Sequence, residues 1–423
     1  MHKEVKFSAD FFKKKREVFA GKLNDNSVTF ILSAIDKIKN RDTFFKFRQD
    51  PNFFYLTGLE LKRSVLVILK SGGKTTEIIF RKFLDPTLEK WVGKNMPEKE
   101  ITAVSGIKDI RDIKELDDFY RQIFNGSGIV DVFMYNEYIP ELIVPTYTHV
   151  FASNLRQKFS FINIRPVNSI LDTLRLVKDK CEIDMIRRAI DITAAGLDEI
   201  LKELKPGMSE NECEGILTGN YLKYGSVQPA FQTIAASGEM ATVLHYEDNN
   251  RKFSKGELIL LDTGAEYKNY AADISRTYPV SGRYTPEQKK FYNIVLDASK
   301  AVMKALKPGI SIPELQEITK ETLYKGLYDL KMVKEKSDLS NYYYHGVSHY
   351  LGIDTHDVGS NQLPLKKGNV ITVEPGLYIA EKKIGIRLEN DVMITAAGCE
   401  NLSAHIPIEI TEIEDIMNRR KRK

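Results

Sequence analysis

The sequence predicts two domains: an α/β domain over residues 1–172, and an α+β domain over 173–423 built from two related halves. Three observations carry this expectation. Up to a boundary near Pro166 to Asp179, short β-rich runs such as S-V-L-V-I-L-K and T-T-E-I-I-F alternate with helical segments and are joined by turns like Ser71-Gly72-Gly73. Beyond it, L-K-E-L-K-P-G-M-S-E-N-E (201–212) and M-K-A-L-K-P-G-I-S-I-P-E (303–314) lie 102 residues apart. Each ends an amphipathic helix at Lys-Pro-Gly and opens another at a serine cap, and Ser209 with Glu212 makes a capping box. Histidines then follow at His245 and His349, and after each comes a carboxylate hairpin: Asp262 with Asp273, and Glu374 with Glu389. A lone Lys-Pro-Gly is a common helix stop, but the matching order of histidine and hairpin favours duplication.

The hairpins hold the chemistry. G-E-L-I-L-L-D-T-G-A-E-Y and K-N-Y-A-A-D-I-S-R-T-Y-P-V are β-rich runs joined at a Tyr267-Lys268-Asn269 turn. Folding there sets Asp262 opposite Asp273 to within a residue or two. Like charges in that position destabilise a sheet, so a cation between them is the natural compensation. In the second half, Glu374 ends a buried-looking run at a Pro375-Gly376 break that can re-aim its side chain. The strand I-G-I-R-L-E-N-D-V follows a Glu381-Lys382-Lys383 turn. Its alternation puts Ile384, Ile386 and Leu388 on one face and Arg387, Glu389 and Asp391 on the other, which alone reads as a solvated face. Three of the seven histidines, His345, His349 and His356, crowd into twelve positions and suggest a site.

Four carboxylates, Asp262, Asp273, Glu374 and Glu389, with one imidazole, His349, look like a two-metal site. Such a donor set suits hard divalent ions, Mn²⁺ above all, with Co²⁺ and Zn²⁺ as alternatives because affinity alone does not select. Two ions of this kind lower the pKa of a shared water and polarise a carbonyl, so metal-assisted hydrolysis is the reaction class that follows.

The ordered series L-L-D-T-G, A-A-D-I-S-R-T-Y, H-G-V-S-H, H-D-V-G, T-V-E-P-G-L-Y and G-I-R-L-E-N-D resembles the pita-bread metallopeptidases, and within them the aminopeptidase P family. The resemblance spans essentially the whole chain, because F-R-Q-D-P-N-F-F-Y-L-T-G-L-E (47–60) is similar to the N-terminal domain of that family. The resemblance implies a pita-bread catalytic domain with Asp262, Asp273, His349, Glu374 and Glu389 as metal ligands. It also implies substrate and transition-state roles for His245, His345 and His356, a supporting role for Tyr378 and Arg387, and peptides with proline at position 2 as substrates. One departure stands out: the family often has Asn before the V-L-H-Y histidine, where this chain has Met240, and this bears on substrate preference rather than on any ligand. The nearest rival is prolidase, which acts on dipeptides ending in proline; Ser348 in H-G-V-S-H leans away from it. A catalytically silent binding module or a metal-free hydrolase of the same fold is disfavoured by the five intact ligands.

Composition narrows the setting. Sixty-two basic against 58 acidic residues, a net charge of +4, give no sign of a nucleic-acid or membrane surface. The tail from Arg419 to Lys423 reads as a frayed, solvated end. Cys181, Cys213 and Cys399 are scattered and odd in number, which argues against a disulfide framework and fits a cytoplasmic protein. The N-terminus lacks an apolar core long enough for a signal peptide, and no run approaches about 18 apolar residues. The oligomeric state stays open, a homo-oligomer included.

Overall fold

The computed structural model describes residues 6–137 and 145–419, so the basic tail beyond Arg419 lies outside the described residues. Contacts divide the chain into two compact units, Met1–Arg175 and Leu176–Lys423.

The first unit is built on a six-stranded mixed sheet. Its order is Asp109–Asp112, Lys74–Arg81, Val65–Ser71, Ser27–Leu32, Asp131–Met134 and Asn163–Pro166. The central strand S-V-T-F-I-L is buried at all six positions, as a strand covered on both faces must be. Val28, Phe30, Val65, Val67, Ile78, Phe80 and Val132 pack with Phe119, Tyr120, Phe124 and Phe159, each large side chain contributing roughly 1.5–3 kcal/mol of burial. In the 47–60 segment, Asp50 caps helix Pro51–Thr57 by accepting from Asn52 and Phe53 N–H, and Phe53, Phe54 and Tyr55 are buried.

The second unit repeats one plan twice. Helix Lys180–Glu203 starts at an Asp179–Glu182 capping box and buries Ile183, Ile186, Ile190, Leu197 and Ile200 along one face. It stops at Lys-Pro-Gly, where Gly207 takes φ +91° and donates to Phe253 O; Ser209 then caps helix Glu210–Lys223. In the second half helix Pro286–Ala305 stops at Gly309, φ +97°, which donates to Leu365 O, and Ser311 with Glu314 caps helix Ile312–Asp329. These backbone values suit glycine.

Each helix pair is followed by antiparallel strands. The first half has the order Ile274–Pro279, Leu258–Thr263, Ile234–Ser237; the second has Val370–Val373, Asn390–Ile394, Cys399–Asn401, with Tyr350 bridged to Ile371. A small hairpin extends each: Glu266–Tyr267 with Tyr270–Ala271, and Gly376–Ile379 with Ile384–Arg387. No helix among the described residues is long and apolar enough to cross a membrane.

Candidate active site

Strand ends place the four carboxylates. Asp262 is the penultimate residue of Leu258–Thr263, Asp273 immediately precedes Ile274–Pro279, and Glu374 immediately follows Val370–Val373. Glu389 lies in the break between Ile384–Arg387 and Asn390–Ile394. Asp262 faces Ser275, two residues past Asp273 and at the edge of the expected register. The turn consists of Lys268 and Asn269 alone, both at positive φ (50° and 65°), a tight two-residue hairpin centred one residue later than expected. Moving the centre by one moves the pairing by two, which leaves both carboxylates on the same face. One sequence expectation needs correction: Arg387, Glu389 and Asp391 are 5%, 2% and 0% exposed and form no solvated face. The strand breaks at Leu388-Glu389, and Glu389 N–H donates to Ser275 O of the first half, so this face is covered by the other hairpin.

The side chains converge on one cavity of about 250 Å³, lined by His245, Asp262, Asp273, His345, His349, His356, Glu374, Arg387 and Glu389, with Leu244, Gly346 and Ser348. His349 Nε2 lies 3.3 Å from Asp273 Oδ2 and 3.6 Å from Glu374 Oε1. Candidate donor atoms of Asp273, His349 and Glu389 all lie within 4.8 Å of one another. His349 Nδ1 is 3.0 Å from Tyr350 O, which can only accept, so the proton sits on Nδ1 and Nε2 presents a lone pair to the carboxylates.

The electrostatics ask for cations. Burial, then repulsion from Asp262, Asp391 and Glu374, holds the Asp273 carboxyl well above the usual range; burial and then Asp273 and Glu374 do the same to Glu389. Burial raises Glu374 as well. Asp262 Oδ1 is buried without a hydrogen-bond partner. Crowded carboxylates, an orphaned oxygen and an imidazole lone pair fit divalent metal ions.

Arg387 accounts for much of the remaining order. Its Nη2 donates to Asp262 Oδ2, Nε to Ser275 Oγ at 2.9 Å and Nη1 to Tyr378 OH at 3.0 Å. Tyr378 stands one side chain behind the wall, 1% exposed, with its hydroxyl 2.8 Å from His345 Nε2. His345 Nδ1 meets Gly346 O at 2.7 Å, so Nδ1 carries the proton and Nε2 accepts from Tyr378. Burial pushes the His345 imidazole down to about 4, leaving it neutral at pH 7. The His356 ring lies against that of His349, with centroids 4.1 Å apart and the planes tilted by 46°; desolvation and then His349 lower its pKa. His245 lies exposed at the mouth, and Met240 packs against the apolar cluster of Ile234, Ala236, Tyr246 and Leu260.

Several contributors escaped the sequence reading. Ser275 Oγ donates to Glu389 Oε2 at 2.7 Å, Thr372 Oγ1 to Glu374 Oε1 at 3.3 Å, and Asp391 Oδ2 accepts from Asp273 N–H at 3.1 Å. Each lies two residues from a carboxylate, on the same strand face, which was the available signal. Arg276, 0% exposed, donates to Glu389 O at 2.6 Å and to Ile406 and Pro407 carbonyls; no local pattern announces it.

Comparison with known proteins agrees with this geometry. The profile of metallopeptidase family M24 matches residues 184–396, and that of the aminopeptidase P N-terminal domain matches residues 12–132. A Haemophilus influenzae Xaa-Pro aminopeptidase is 33% identical, with 97% of each chain covered. A solved Bacillus anthracis structure provisionally described as an aminopeptidase P superposes with a TM-score of 0.96 at 38% identity, covering 98% of this chain and 99% of that one. Zinc-substituted Escherichia coli aminopeptidase P in complex with product gives 0.91 at 30% identity, covering 99% and 100%. The chain therefore belongs to metallopeptidase family M24, with the pita-bread catalytic fold and the N-terminal domain of the aminopeptidase P group.

Proposed function

We propose that this protein releases the N-terminal residue from peptides whose second residue is proline, using two divalent cations, Mn²⁺ first, held by Asp262, Asp273, His349, Glu374 and Glu389. The observation that carries the reading is the convergence of these five side chains with His245, His345 and His356 on a single cavity. The relatives named as Xaa-Pro aminopeptidases support the substrate class. Cys181, Cys213 and Cys399, all free, support a reducing, cytoplasmic setting.

When bound, the cations supply an acidified water and a Lewis-acid pull on the scissile carbonyl. The chain's own residues do the rest. Glu374, its pKa raised by burial, receives the proton of the attacking water on a carboxylate oriented by Thr372. His356 hydrogen-bonds the oxygen that gains charge. His345 presents its Nδ1 edge, 3.8 Å from Glu374 Oε2, and shares that N–H between Gly346 O and the reacting group. Proline enters because its nitrogen carries no hydrogen, so the wall around it need satisfy no donor until the nitrogen is protonated on leaving. His245 borders the entrance, and the substrate amine sits on the Asp262 side. Arg387 is spent on Asp262, Ser275 and Tyr378, so it is not available to bind a substrate carboxylate.

Purified protein assayed on Xaa-Pro dipeptides beside Xaa-Pro-Xaa tripeptides, with and without Mn²⁺, tests this. Extension past proline should keep or raise kcat/KM, and C-terminal amidation should change it little. Strong preference for the free-carboxylate dipeptide would turn the reading into prolidase.

A further inference from the structure

One side chain holds the loop that carries His345. Gln316, in the second turn of helix Ile312–Asp329, accepts at Oε1 from Val347 N–H at 2.7 Å and from Tyr343 OH at 3.1 Å, and donates from Nε2 to His345 O at 3.1 Å. The amide's orientation is unambiguous, since the Val347 N–H can only donate and the atom facing it must be oxygen. Tyr343, 5% exposed, sets its ring edge-on to the His345 imidazole with centroids 4.9 Å apart. Val347 O in turn accepts from Glu374 N–H at 2.9 Å, so the loop is tied to the helix on one side and to the carboxylate strand on the other.

The other half solves the same problem at the same place. Glu214 precedes Gln316 by 102 residues, the offset of the Ser209/Ser311 and Glu212/Glu314 caps. Its Oε2 accepts from Asn249 Nδ2 at 2.9 Å, and Asn249 takes Ala235 N–H and gives to Thr233 O, fastening the segment after His245. There the loop offers only a donor, and a carboxylate suffices. The His345 loop offers two donors and one acceptor, which an amide satisfies and a carboxylate does not.

We propose that Gln316 is a positioning residue that sets the His345 imidazole against the reacting group; this rests on the role given to His345 in the proposed function. Glu214 is the matching anchor of the other half.

The test compares Gln316→Leu, Gln316→Glu, His345→Ala and the His345→Ala/Gln316→Leu double variant in the full-length, Mn²⁺-loaded protein. Steady-state kinetics on an Xaa-Pro-Xaa peptide and metal content are the readouts, together with ¹H–¹⁵N spectra of the histidine side chains recorded on the diamagnetic Zn²⁺-loaded form. Gln316→Leu should lower kcat about 10- to 100-fold, the scale of a misplaced reacting group, with KM nearly unchanged and full metal content. Gln316→Glu, which keeps the acceptor for Val347 and Tyr343 and loses the donor to His345 O, should fall between. The double variant should be no slower than His345→Ala, and in Gln316→Leu, which keeps all seven histidines, the His345 signal should move most. If His345→Ala slows turnover and Gln316→Leu does not, or if the two losses multiply, the positioning role is wrong while the proposed function stands. A His345→Ala enzyme at full rate removes the role of His345 and this inference with it. Should Gln316→Leu fail to fold, Gln316→Glu decides: unchanged kcat and an unmoved His345 signal overturn the proposal.

Discussion

The carboxylates of the two halves are braced from different directions. In the first half, Asp262 takes its hydrogen bond from Arg387 and the Asp273 N–H goes to Asp391, both contributed by the second half. In the second half, Glu389 leans on Ser275 and Arg276 of the first, whereas Glu374 is held within its own half by Thr372 and the Val347 carbonyl. Three of the four carboxylates therefore depend on groups about 110–130 residues away in the chain. Either half alone would bury polar atoms without partners, at roughly 1–3 kcal/mol each. Duplication supplies two similar backbones, and the seam between them makes the site.

The sharpest way to break this comparison is at Asp273, the carboxylate closest to His349. Asp273→Asn should lose bound metal and at least about 10³-fold in kcat, since it removes charge from the ligand cluster itself. Folding should largely survive. Two metal equivalents with near-normal turnover in that variant would show the ligand assignment to be wrong.

His356 lines the cavity beside the cluster with its ring against that of His349, so its effect should be smaller and of another kind. His356→Ala should lower kcat by roughly 10²-fold, the range of a positioned proton-transfer or hydrogen-bonding group, with metal content retained. Metal loss equal to that of His349→Ala would make His356 a ligand instead.

Stability against pH sharpens the electrostatic side. A carboxyl whose folded pKa is raised contributes stability below its unfolded value, and that contribution disappears as pH climbs through the folded value. Asp273, Glu374 and Glu389 are all raised, and buried Asp391 is pushed up to about 8. The metal-free protein should therefore lose Tm as pH rises from about 4, the unfolded carboxylate range, towards 8. Adding Mn²⁺ at neutral pH should restore it. A metal-free Tm that climbs or stays flat across that window would contradict the crowding argument.

The mildest cut is across the seam. Ser275→Ala removes one hydroxyl between Arg387 and Glu389 and should cost about 1–2 kcal/mol, read as a Tm drop of several degrees, with activity largely kept. A drop no larger than that of a surface serine variant would mean the seam is held elsewhere.

Much of this was legible along the chain because its causes are local. Lys-Pro-Gly stops, serine caps with a glutamate three residues on, and hairpins marked by turn residues act over a few positions, so the helix pairs, and the five acidic and histidine side chains that line one cavity, could be named in advance. The Asp262–Asp273 register was legible only to within a residue or two, because the exact centre of the turn is set by the backbone of Lys268 and Asn269, both at positive φ. The 387–391 face was misread because alternation reports which side chains share a face and says nothing about what covers that face.

Cap chemistry, strand alternation and the type and order of the donor residues are thus written in the primary structure, since each is settled within a helical turn or a hairpin. The burial of Arg387 and Glu389, the proton positions of His345 and His349, and the grip of Gln316 on the histidine loop required the fold. They arise where segments distant in sequence exclude water from one another, and in that low-dielectric setting each polar group must find a partner that no neighbouring residue supplies.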